Sequence, residues 1–290
     1  MPSIKEYDVK LNRLKNTEKM TGTMKLVSMS KLYRAHEAQK KAKLYSQKLT
    51  DIIQRLSASV KTAAHPLLTA RPKVKKALIL VISSDKGLCG SFNNSLIKGV
   101  RKWLNEQKGT YEKIDLSFCG KRGYTALRRE GELRANYEGL GANPHFDGAE
   151  KAGRELAGDF LSGRYDEIYL TYNIFQSPLS QHPTFQKILP IEPGELLEGG
   201  KKLSADYLYE PPMEELLSFL VPKYLYFRIY FALLENAAGE HGARMTAMDN
   251  ATKNAGDMID HISLLRNRAR QANITTELIE IVSGAEVLKS

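Results

Sequence analysis

The chain has 290 residues, of which 42% are hydrophobic and 26% charged, and this composition is typical of a soluble globular protein. No stretch approaches 18 consecutive apolar residues and the N-terminus lacks an apolar signal core, so neither a membrane span nor a secretory peptide is predicted. The two cysteines, Cys89 and Cys119, have no CxxC spacing, which predicts neither a zinc site nor a disulfide framework.

The N-terminal segment predicts a long basic helix. No proline lies between Ser3 and His65, and apolar residues recur at alternating steps of three and four from Ile4 to Leu14 and from Ala35 to Leu56. Residues 1–60 contain 13 Lys or Arg and 5 Asp or Glu, a net charge of +8. This charge indicates an acidic partner, namely nucleic acid, anionic lipid or an acidic protein surface. The apolar residues at these spaced positions form the seam that would pack against another helix, and this seam is rich in alanine. Because no base-stacking module is evident either, an acidic protein is the favoured partner.

The middle of the chain holds ten of the eleven prolines and predicts an α/β layer. Runs rich in Ile, Leu, Val, Tyr and Phe predict strands at 75–83, 113–120, 165–175 and 184–191. Helices are expected between them at 93–107, 121–130 and 147–162. The sequences "HPTF" (182–185) and "PIEPGELLEGG" (190–200) are expected to form turns and loops.

The sequence "VISSDKGLCGSFNNSL" (81–96) has the strand, glycine turn and helix start of a phosphate-binding loop. It nevertheless lacks the GxxxxGK[ST] spacing of a Walker loop and the GxGxxG spacing of a dinucleotide loop. We therefore interpret it as a strand-to-helix turn, with an anion site at the helix N-terminus as the remaining alternative. No cofactor is predicted.

The C-terminal segment predicts a second long helix, because its apolar residues alternate in steps of three and four from Met248 to Ala272. The two long helices are expected to form an antiparallel coiled coil. Asp249, Asp257 and Asp260 are interpreted as a solvated or interface face of this helix rather than a metal or catalytic site. No nucleophile arrangement is found, so no catalytic or metal-binding residue is predicted.

Three stretches resemble the gamma subunit of F-type ATP synthases of the bacterial type. They are "NRLKNTEKMTGTMKLVSMSKLYRA" (12–35), "SSDKGLCGSFN" (83–93) and "TAMDNATKNAGDMIDHISLLRNRARQANITTELIEIVSGAEVL" (246–288), which occur in the family's order. The fold class that this implies is a long antiparallel coiled coil of terminal helices with a central Rossmann-like α/β domain. The corresponding domains are 1–65, 66–210 and 211–290.

The resemblance implies a central rotor shaft that couples ion-driven rotation of a c-ring to ATP synthesis or hydrolysis in a hexamer of alpha and beta subunits. Its implied partners are alpha, beta, epsilon and the c-ring, with no nucleic acid. The implied location is the cytoplasmic face of a bacterial membrane, as a peripheral protein. The chain itself is expected to be non-catalytic, since the family's nucleotide sites belong to alpha and beta.

The resemblance also implies contact residues toward the beta subunit, and these are Met24, Arg270, Gln271, Thr275 and Glu277. Two departures accompany it. Lys86 replaces the usual arginine of the glycine loop, and Met29 and Ser30 stand where alanines are common, so local packing is expected to differ. Two alternatives remain from the residues alone: a scaffold or nucleic-acid-binding protein that uses its basic helix, and a nucleotide-dependent enzyme built on the middle domain.

Overall fold

The structure, a computed structural model, describes residues 3–59, 65–191, 210 and 212–287. Its helices are α1 (Ile4–Ser59), α2 (Phe92–Glu106), α3 (Lys121–Leu127), α4 (Phe146–Leu161) and α5 (Met213–Val287). Its strands are β1 (Lys76–Ile82), β2 (Lys113–Cys119), β3 (Glu132–Tyr137), β4 (Glu167–Ser177) and β5 (Ser180–Leu189). These elements confirm the predicted fold class.

Contacts divide the chain into two compact units. The sheet unit comprises Met29–Arg244, and the paired-helix unit comprises Met1–Ser28 with Met245–Ser290. The predicted domain limits at 65/66 and 210/211 stay a prediction, and residues 192–200 of the predicted loop lie outside the described residues.

The sheet unit is a five-stranded sheet in the order β3-β2-β1-β4-β5. The first four strands of this order are parallel to their neighbours, and β5 is antiparallel to β4. Strand order reverses on the two sides of β1, as in half of a doubly wound α/β fold. In such sheets the crevice at the carboxyl ends of the two central strands is the usual ligand site. In this chain the glycine loop follows β1 at that edge.

Alternation along β1 explains how the sheet is covered on both faces. Ile79 and Val81 pack with Leu96 of α2 and Leu127 of α3 on one face. Leu78, Leu80 and Ile82 face the opposite side, where the core continues into α1, α4 and α5. The residues of β1 from Ala77 to Ile82 have no solvent exposure. Because both faces of the strand are buried, its sequence is one continuous apolar run.

One strand of the sheet was missed, and one local prediction is wrong. Strand β3 was not predicted, because its sequence "ELRANY" is only partly buried at a sheet edge and has a register shift at Arg134. The segment "HPTF", predicted as a turn, lies inside β5. Pro183 is tolerated there because β5 is an edge strand, where a missing N–H need not break a ladder.

Helix α5 begins after the Pro211-Pro212 pair and contains Pro222 in its interior. Two glycines let this helix approach the sheet unit closely. A Cβ atom on Gly239 would lie 2.9 Å from the Phe92 ring, and one on Gly242 would lie 3.0 Å from Phe175. Both positions therefore require the smallest residue.

One segment of α5, Glu215–Ala285, is long enough to cross a bilayer and contains an 18-residue window with a mean hydropathy of 1.3. Half of that window is buried inside the protein. Leu225, Ile229 and Leu233 of this segment belong to the core of the sheet unit. Packing against the sheet is enough to explain the apolar composition.

Candidate functional site

The predicted contact residues lie on the two long helices of the paired-helix unit. Arg270, Gln271, Thr275 and Glu277 are exposed on α5, whereas Met24 is half-buried on α1. The Thr275 hydroxyl donates a hydrogen bond to the Gln271 carbonyl (2.9 Å), one turn back along the helix. Thr276 donates in the same way to the Ala272 carbonyl (3.0 Å), and the Arg270, Gln271 and Glu277 side chains are exposed to solvent.

Side-chain contacts fix how the two helices are paired. Contacts between described residues of the two helices include the following: Arg266 donates to Asp8 (3.2 Å), the hydroxyl oxygens of Thr21 and Thr252 lie 2.7 Å apart, and Lys25 donates to Asp249 (2.6 Å). From Asp8 to Lys25 the chain advances 17 residues, while from Arg266 to Asp249 it goes back by 17. Equal steps in opposite directions mean that the helices run antiparallel.

The same register sets the end of the paired region. It puts Ile4, the first residue of α1, level with Arg270. Helix α5 continues to Val287 and therefore passes beyond the start of α1. Residues 271–285, which we call the tip segment, are all exposed. At about 1.5 Å per residue, the tip segment is roughly 22 Å long.

The tip segment is an amphipathic single helix. Its large apolar side chains are 49% to 67% exposed, and they are Ile274, Leu278, Ile279, Ile281 and Val282. Spacing along the helix puts four of them within an arc of about 100°, with Glu277 beside this arc and Glu280 on the other side of the helix. The segment has no lysine or arginine. Such a helix matches a partner with an apolar wall.

Met24 is not brought close to Arg270. It is level with residue 250 of α5, about 20 residues and therefore roughly 30 Å from Arg270 along the coil. The predicted contact residues therefore form two separate patches on the paired-helix unit, one at Met24 and one that begins at Arg270.

Near Met24 the helices are joined by an ionic cluster. Asp249 accepts from Lys25 and is also paired with Lys253 (2.9 Å). Hydrogen bonds from Lys25 and Lys253 hold the pKa of Asp249 below its ordinary value. Asp249 therefore belongs to the interface between the two helices, as one of the two roles considered for it from the sequence.

The glycine loop, residues 83–91, is held by its own polar contacts. The Ser84 amide and hydroxyl both donate to Oδ1 of Asn93, and the Lys121 amide donates to Asp85 (2.8 Å). Leu88 has φ = 62°, in the left-handed region that a bulky side chain disfavours, and it is 63% exposed.

An arginine of α5, Arg244, binds the backbone of this loop. Arg244 donates to the carbonyl oxygens of Gly87 (3.1 Å) and Lys86 (3.4 Å), and it forms an ion pair with Glu240 (2.6 Å). The Arg244 and Glu240 side chains are only 10% and 7% exposed. The loop thus presents carbonyl oxygens to a cation of its own chain, the opposite of the amide donors that a phosphate requires.

Burial governs the titratable groups around the loop. It raises the pKa of Glu240, and burial together with Arg244 lowers the pKa of His241 to about 4, so this histidine is neutral at pH 7. Burial also raises the pKa of the Cys89 and Cys119 thiols, both of which are free. Neither thiol is in a state suited to nucleophilic chemistry.

Sequence reasoning missed Arg244 and Glu240, because Arg244 contacts a loop 157 residues away. Their (i, i+4) spacing on a helix was the available signal, but that spacing usually marks a surface pair.

Within the described ranges, no group of three or more His, Cys, Asp or Glu is arranged to hold a metal ion. A surface groove of about 430 Å³ is lined by Pro66, Thr69, Ala70, Arg71, Pro72 and Leu161. It lies before β1 in the chain, at the edge of the sheet opposite the glycine loop. Arg71 is its charged group and already donates to the Phe160 carbonyl (2.7 Å). The groove does not resemble a nucleotide site.

Comparisons with known proteins agree with the resemblance in the sequence. A family model described as ATP synthase matches residues 3–288. An ATP synthase gamma chain from Trichlorobacter lovleyi is 40% identical over 289 residues, covering 100% of both chains. The chain belongs to the ATP synthase gamma chain family. The gamma chain of Geobacter metallireducens is similarly related, with 41% identity over 289 residues and 100% coverage of both chains.

Solved structures of ATP synthase rotors share the fold. A chain in the central stalk and c-ring of the Tetrahymena thermophila mitochondrial enzyme superposes with a TM-score of 0.60 at 25% identity, covering 80% of this chain and 99% of that one. A chain in a Euglena gracilis mitochondrial ATP synthase assembly gives a TM-score of 0.65 at 18% identity, covering 98% of this chain and 94% of that one.

Membership of the gamma chain family decides among the three functional hypotheses. The chain is a subunit of an ATP synthase, a membrane-associated complex, and its bacterial relatives indicate the cell membrane. A free-standing scaffold and a separate nucleotide-dependent enzyme are no longer needed to explain the basic helix and the glycine loop. The roles of the five contact residues stay a prediction.

Proposed function

We propose that this gamma chain is a non-catalytic shaft that couples ion-driven rotation of a c-ring to ATP synthesis or hydrolysis in a hexamer of alpha and beta subunits. The observation that carries the proposal is the tip segment, a single exposed helix that extends beyond its antiparallel partner. A narrow helix end with an apolar face suits a close-fitting bearing, because apolar contact is non-directional and does not lock one orientation.

The basic segment of α1 supports a moving contact with acidic surfaces. Exposed charges attract a partner over several ångströms and are screened by solvent, so contacts with successive subunits can form and break without a large barrier. We propose that Met24 and Arg270 with Gln271 meet the beta subunits at the two patches, and that Thr275 and Glu277 continue the second patch.

Arg270 is the strongest of these proposed contacts. Its planar guanidinium can donate two parallel hydrogen bonds to one carboxylate, which lysine cannot reproduce. It is exposed at the level where α1 begins, so a partner can approach it beside the end of the first helix.

The non-catalytic role is supported by the glycine loop. Arg244 already occupies its carbonyl oxygens, and the side chain of Asn93 in α2 donates to the hydroxyl of Ser84 in the loop. We propose that nucleotides bind alpha and beta, that this chain contacts epsilon and the c-ring through its sheet unit, and that it works at the cytoplasmic face of a bacterial membrane.

The test is coupling in the reconstituted complex with alpha, beta, epsilon and the membrane sector. ATP hydrolysis and ATP-driven ion pumping are measured in the same preparation for Arg270→Ala, Arg270→Lys and the control Arg268→Ala. Arg268 is exposed on the same helix but points to a different side. Loss of a charged hydrogen bond predicts that Arg270→Ala lowers pumping per ATP by about 10- to 100-fold.

Arg270→Lys should give an intermediate loss and Arg268→Ala a change of less than about twofold, as expected for an exposed side chain without a specific partner. Equal effects of Arg268→Ala and Arg270→Ala would contradict the assigned contact. Failure of the chain to enter the complex would contradict the shaft itself.

A further inference from the structure

Helix α5 passes without a break from the sheet unit into the paired-helix unit. The boundary between the units falls between Arg244 and Met245 on α5, and between Ser28 and Met29 on α1. A twisting force on the paired helices therefore reaches the sheet unit along these two helices. How firmly each helix is held at the boundary decides how far it yields before the sheet unit follows.

The stretch of α5 that leads to the boundary packs mainly through small residues. Ala237, Ala238 and Ala243 are buried, and Gly239 and Gly242 lie within the same stretch. Small residues allow close approach to the sheet unit. They give little leverage against rotation of the helix about its own axis, because their side chains are short and apolar contact is non-directional.

Two polar residues at the start of this stretch differ in what they contribute. Glu235 is hydrogen-bonded to Tyr172 of β4. Asn236 is fully buried, yet its side-chain amide has no hydrogen-bond partner among the residues that the structure describes. Glu235 therefore holds α5 to the sheet by a polar contact, and Asn236 does not.

Arg244 ends the stretch with directional contacts. Its guanidinium donates to the Gly87 carbonyl oxygen from Nη2 (3.1 Å) and from Nε (3.2 Å), and to the Lys86 carbonyl oxygen (3.4 Å). Glu240, one turn back, accepts from the same guanidinium (2.6 Å) and so fixes its orientation. Hydrogen bonds of a charged donor depend on angle and gain strength where water is excluded, as it is around this nearly buried pair.

The loop that receives these hydrogen bonds is itself fixed to the sheet unit. Ser84 donates to Asn93 of α2 from its amide (3.2 Å) and from its hydroxyl (3.0 Å). Asp85 accepts from the Lys121 amide at the start of α3 (2.8 Å). A force on Arg244 is therefore passed to two helices that cover the sheet instead of being absorbed by the loop.

We propose that Arg244, oriented by Glu240, is a torsional anchor that holds α5 to the glycine loop and so transmits torque between the sheet unit and the paired helices. The inference rests on the proposed function. It assigns the glycine loop a mechanical role in place of the ligand-binding role that loops at this edge of an α/β sheet usually have. Arg244 is a positioning residue, because it acts through the rotation of α5.

The first measurement is hydrogen exchange, followed by mass spectrometry, on the full chain. The test variant is Glu240→Gln with Arg244→Met, which removes both charges and so leaves no buried charge unpaired. Loss of the hydrogen bonds to the loop should speed exchange of amides at 237–244 by about 10- to 100-fold. Amides of β1 serve as the internal reference and should change little.

The second measurement is the twist of complexes reconstituted with alpha and beta fixed to a surface. Without nucleotide, the angular fluctuation of a probe on Lys102→Cys, where the native side chain is 80% exposed, reports how far the sheet unit twists relative to the ring. From Arg244 to Arg270, α5 extends about 39 Å, and holding it at Glu235 instead adds about 13 Å of free length. Because twist grows with free length, the mean-square fluctuation of the test variant should rise by up to about a third.

A matched control is Arg134→Met with Asp159→Asn. The Arg134 side chain is also 10% exposed and is paired with Asp159 (2.7 Å) and Glu155 (2.8 Å), but these residues join β3 to α4. The control should change neither the exchange of 237–244 nor the angular fluctuation. Arg244→Lys keeps a charge beside Glu240 without the fork that reaches two carbonyl oxygens, so its effect should be intermediate.

Unchanged exchange at 237–244 in the test variant would overturn the anchor. Faster exchange without greater angular fluctuation, or an equal rise in the control, would overturn its mechanical role. If the test variant does not fold, Arg244→Lys is subject to the same two criteria. Failure of the unaltered chain to enter the complex would instead contradict the proposed function, and it is recognised by the composition of the purified complex.

Discussion

The sheet unit and the paired-helix unit bury their apolar residues to different extents. Every residue of β1 from Ala77 to Ile82 is fully buried between two layers of helices. In the paired-helix unit the deepest side chain, Ser28, is polar, and Leu26 and Val27 next to it are exposed. The sheet unit therefore contains a continuous, fully buried core, whereas the paired-helix unit has a thin core flanked by exposed apolar side chains.

This difference fits the proposed function, in which the two units have different tasks. A rotor needs a rigid body to which other rotating subunits attach and a slender body that turns inside the stationary ring. A self-contained core supplies rigidity, because close packing resists deformation. A thin helical pair fits a narrow space, but it cannot bury enough surface to be equally stable without help.

The largest expected effect is in the sheet unit, at the buried pair of Arg244 and Glu240. Arg244→Met leaves Glu240 buried without its partner and should lower the free energy of unfolding by about 3–5 kcal/mol. Thermal and urea unfolding of the sheet unit measure this loss.

The direction of the Glu240 pKa shift determines how the stability of the Arg244→Met variant changes with pH. Burial raises the pKa of Glu240 in the folded chain, and without Arg244 that pKa rises further. The folded state then binds more protons, so the variant should be most stable below the ordinary carboxyl pKa and lose stability as pH rises through the raised value. The double variant Glu240→Gln with Arg244→Met should recover much of the loss. No recovery would contradict the unpaired charge as its cause.

A matched pair of truncations compares the two units directly. Leu80→Ala opens a cavity in a fully buried strand and should lower the free energy of unfolding of the sheet unit by about 2–5 kcal/mol. Ile262→Ala, in the seam between the paired helices, should leave the unfolding transition of the sheet unit unchanged. It should speed the hydrogen exchange of nearby backbone amides in the paired helices. A common loss in one cooperative transition would mean that the two regions fold as a single unit.

A smaller gain is expected at Leu88, whose left-handed backbone costs about 1–2 kcal/mol for a residue with a side chain. Leu88→Gly relieves that strain, partly offset by the greater freedom of glycine in the unfolded chain, and should stabilise the sheet unit by up to about 1 kcal/mol. Leu88→Val, which is β-branched, should destabilise it. Urea midpoints compare the two, and an opposite order would contradict the strain.

The smallest effect is expected at the partly exposed ion pair of Lys25 and Asp249. The pKa of Asp249 is held low by Lys25 and Lys253, so its contribution is present above the ordinary carboxyl pKa and is lost as pH falls through the lowered value. At low salt, Asp249→Asn should slightly raise the rate of amide hydrogen exchange in the helix turns around Thr21 and Thr252. In 1 M salt this difference from the unaltered chain should disappear. A salt-independent effect would point to packing instead.

The sequence predicted most of the fold because the relevant signals are local. Runs rich in Ile, Leu, Val, Tyr and Phe predicted β1 and β2, and the absence of proline with a heptad spacing predicted the long helices. Strand β3 was not predicted from the sequence, because a strand at the edge of a sheet needs few apolar residues. Tyr45, Ile52 and Met258 were placed in the seam by spacing but are exposed. Periodicity identifies the apolar stripe of a helix, but it does not show which residues of that stripe the partner helix covers.

The site was predictable only in part. The resemblance supplied Arg270, Gln271, Thr275, Glu277 and Met24, and whether they contact beta stays a prediction. The tip segment could not be read from the sequence, since it depends on the register between two helices some 240 residues apart. Likewise, the contact of Arg244 with Gly87 depends on the packing of α5 at the glycine loop.

The most direct test of the account is rotation of single reconstituted complexes with alpha and beta fixed to a surface. Cys89 and Cys119 are buried and unsuitable for a probe, whereas Lys102 on α2 has a side chain that is 80% exposed, so Lys102→Cys provides the attachment point. With ATP, the probe should turn in one direction with three stops per turn, one for each beta subunit of the proposed hexamer. A complex that contains the chain and hydrolyses ATP while the probe only fluctuates would contradict the shaft.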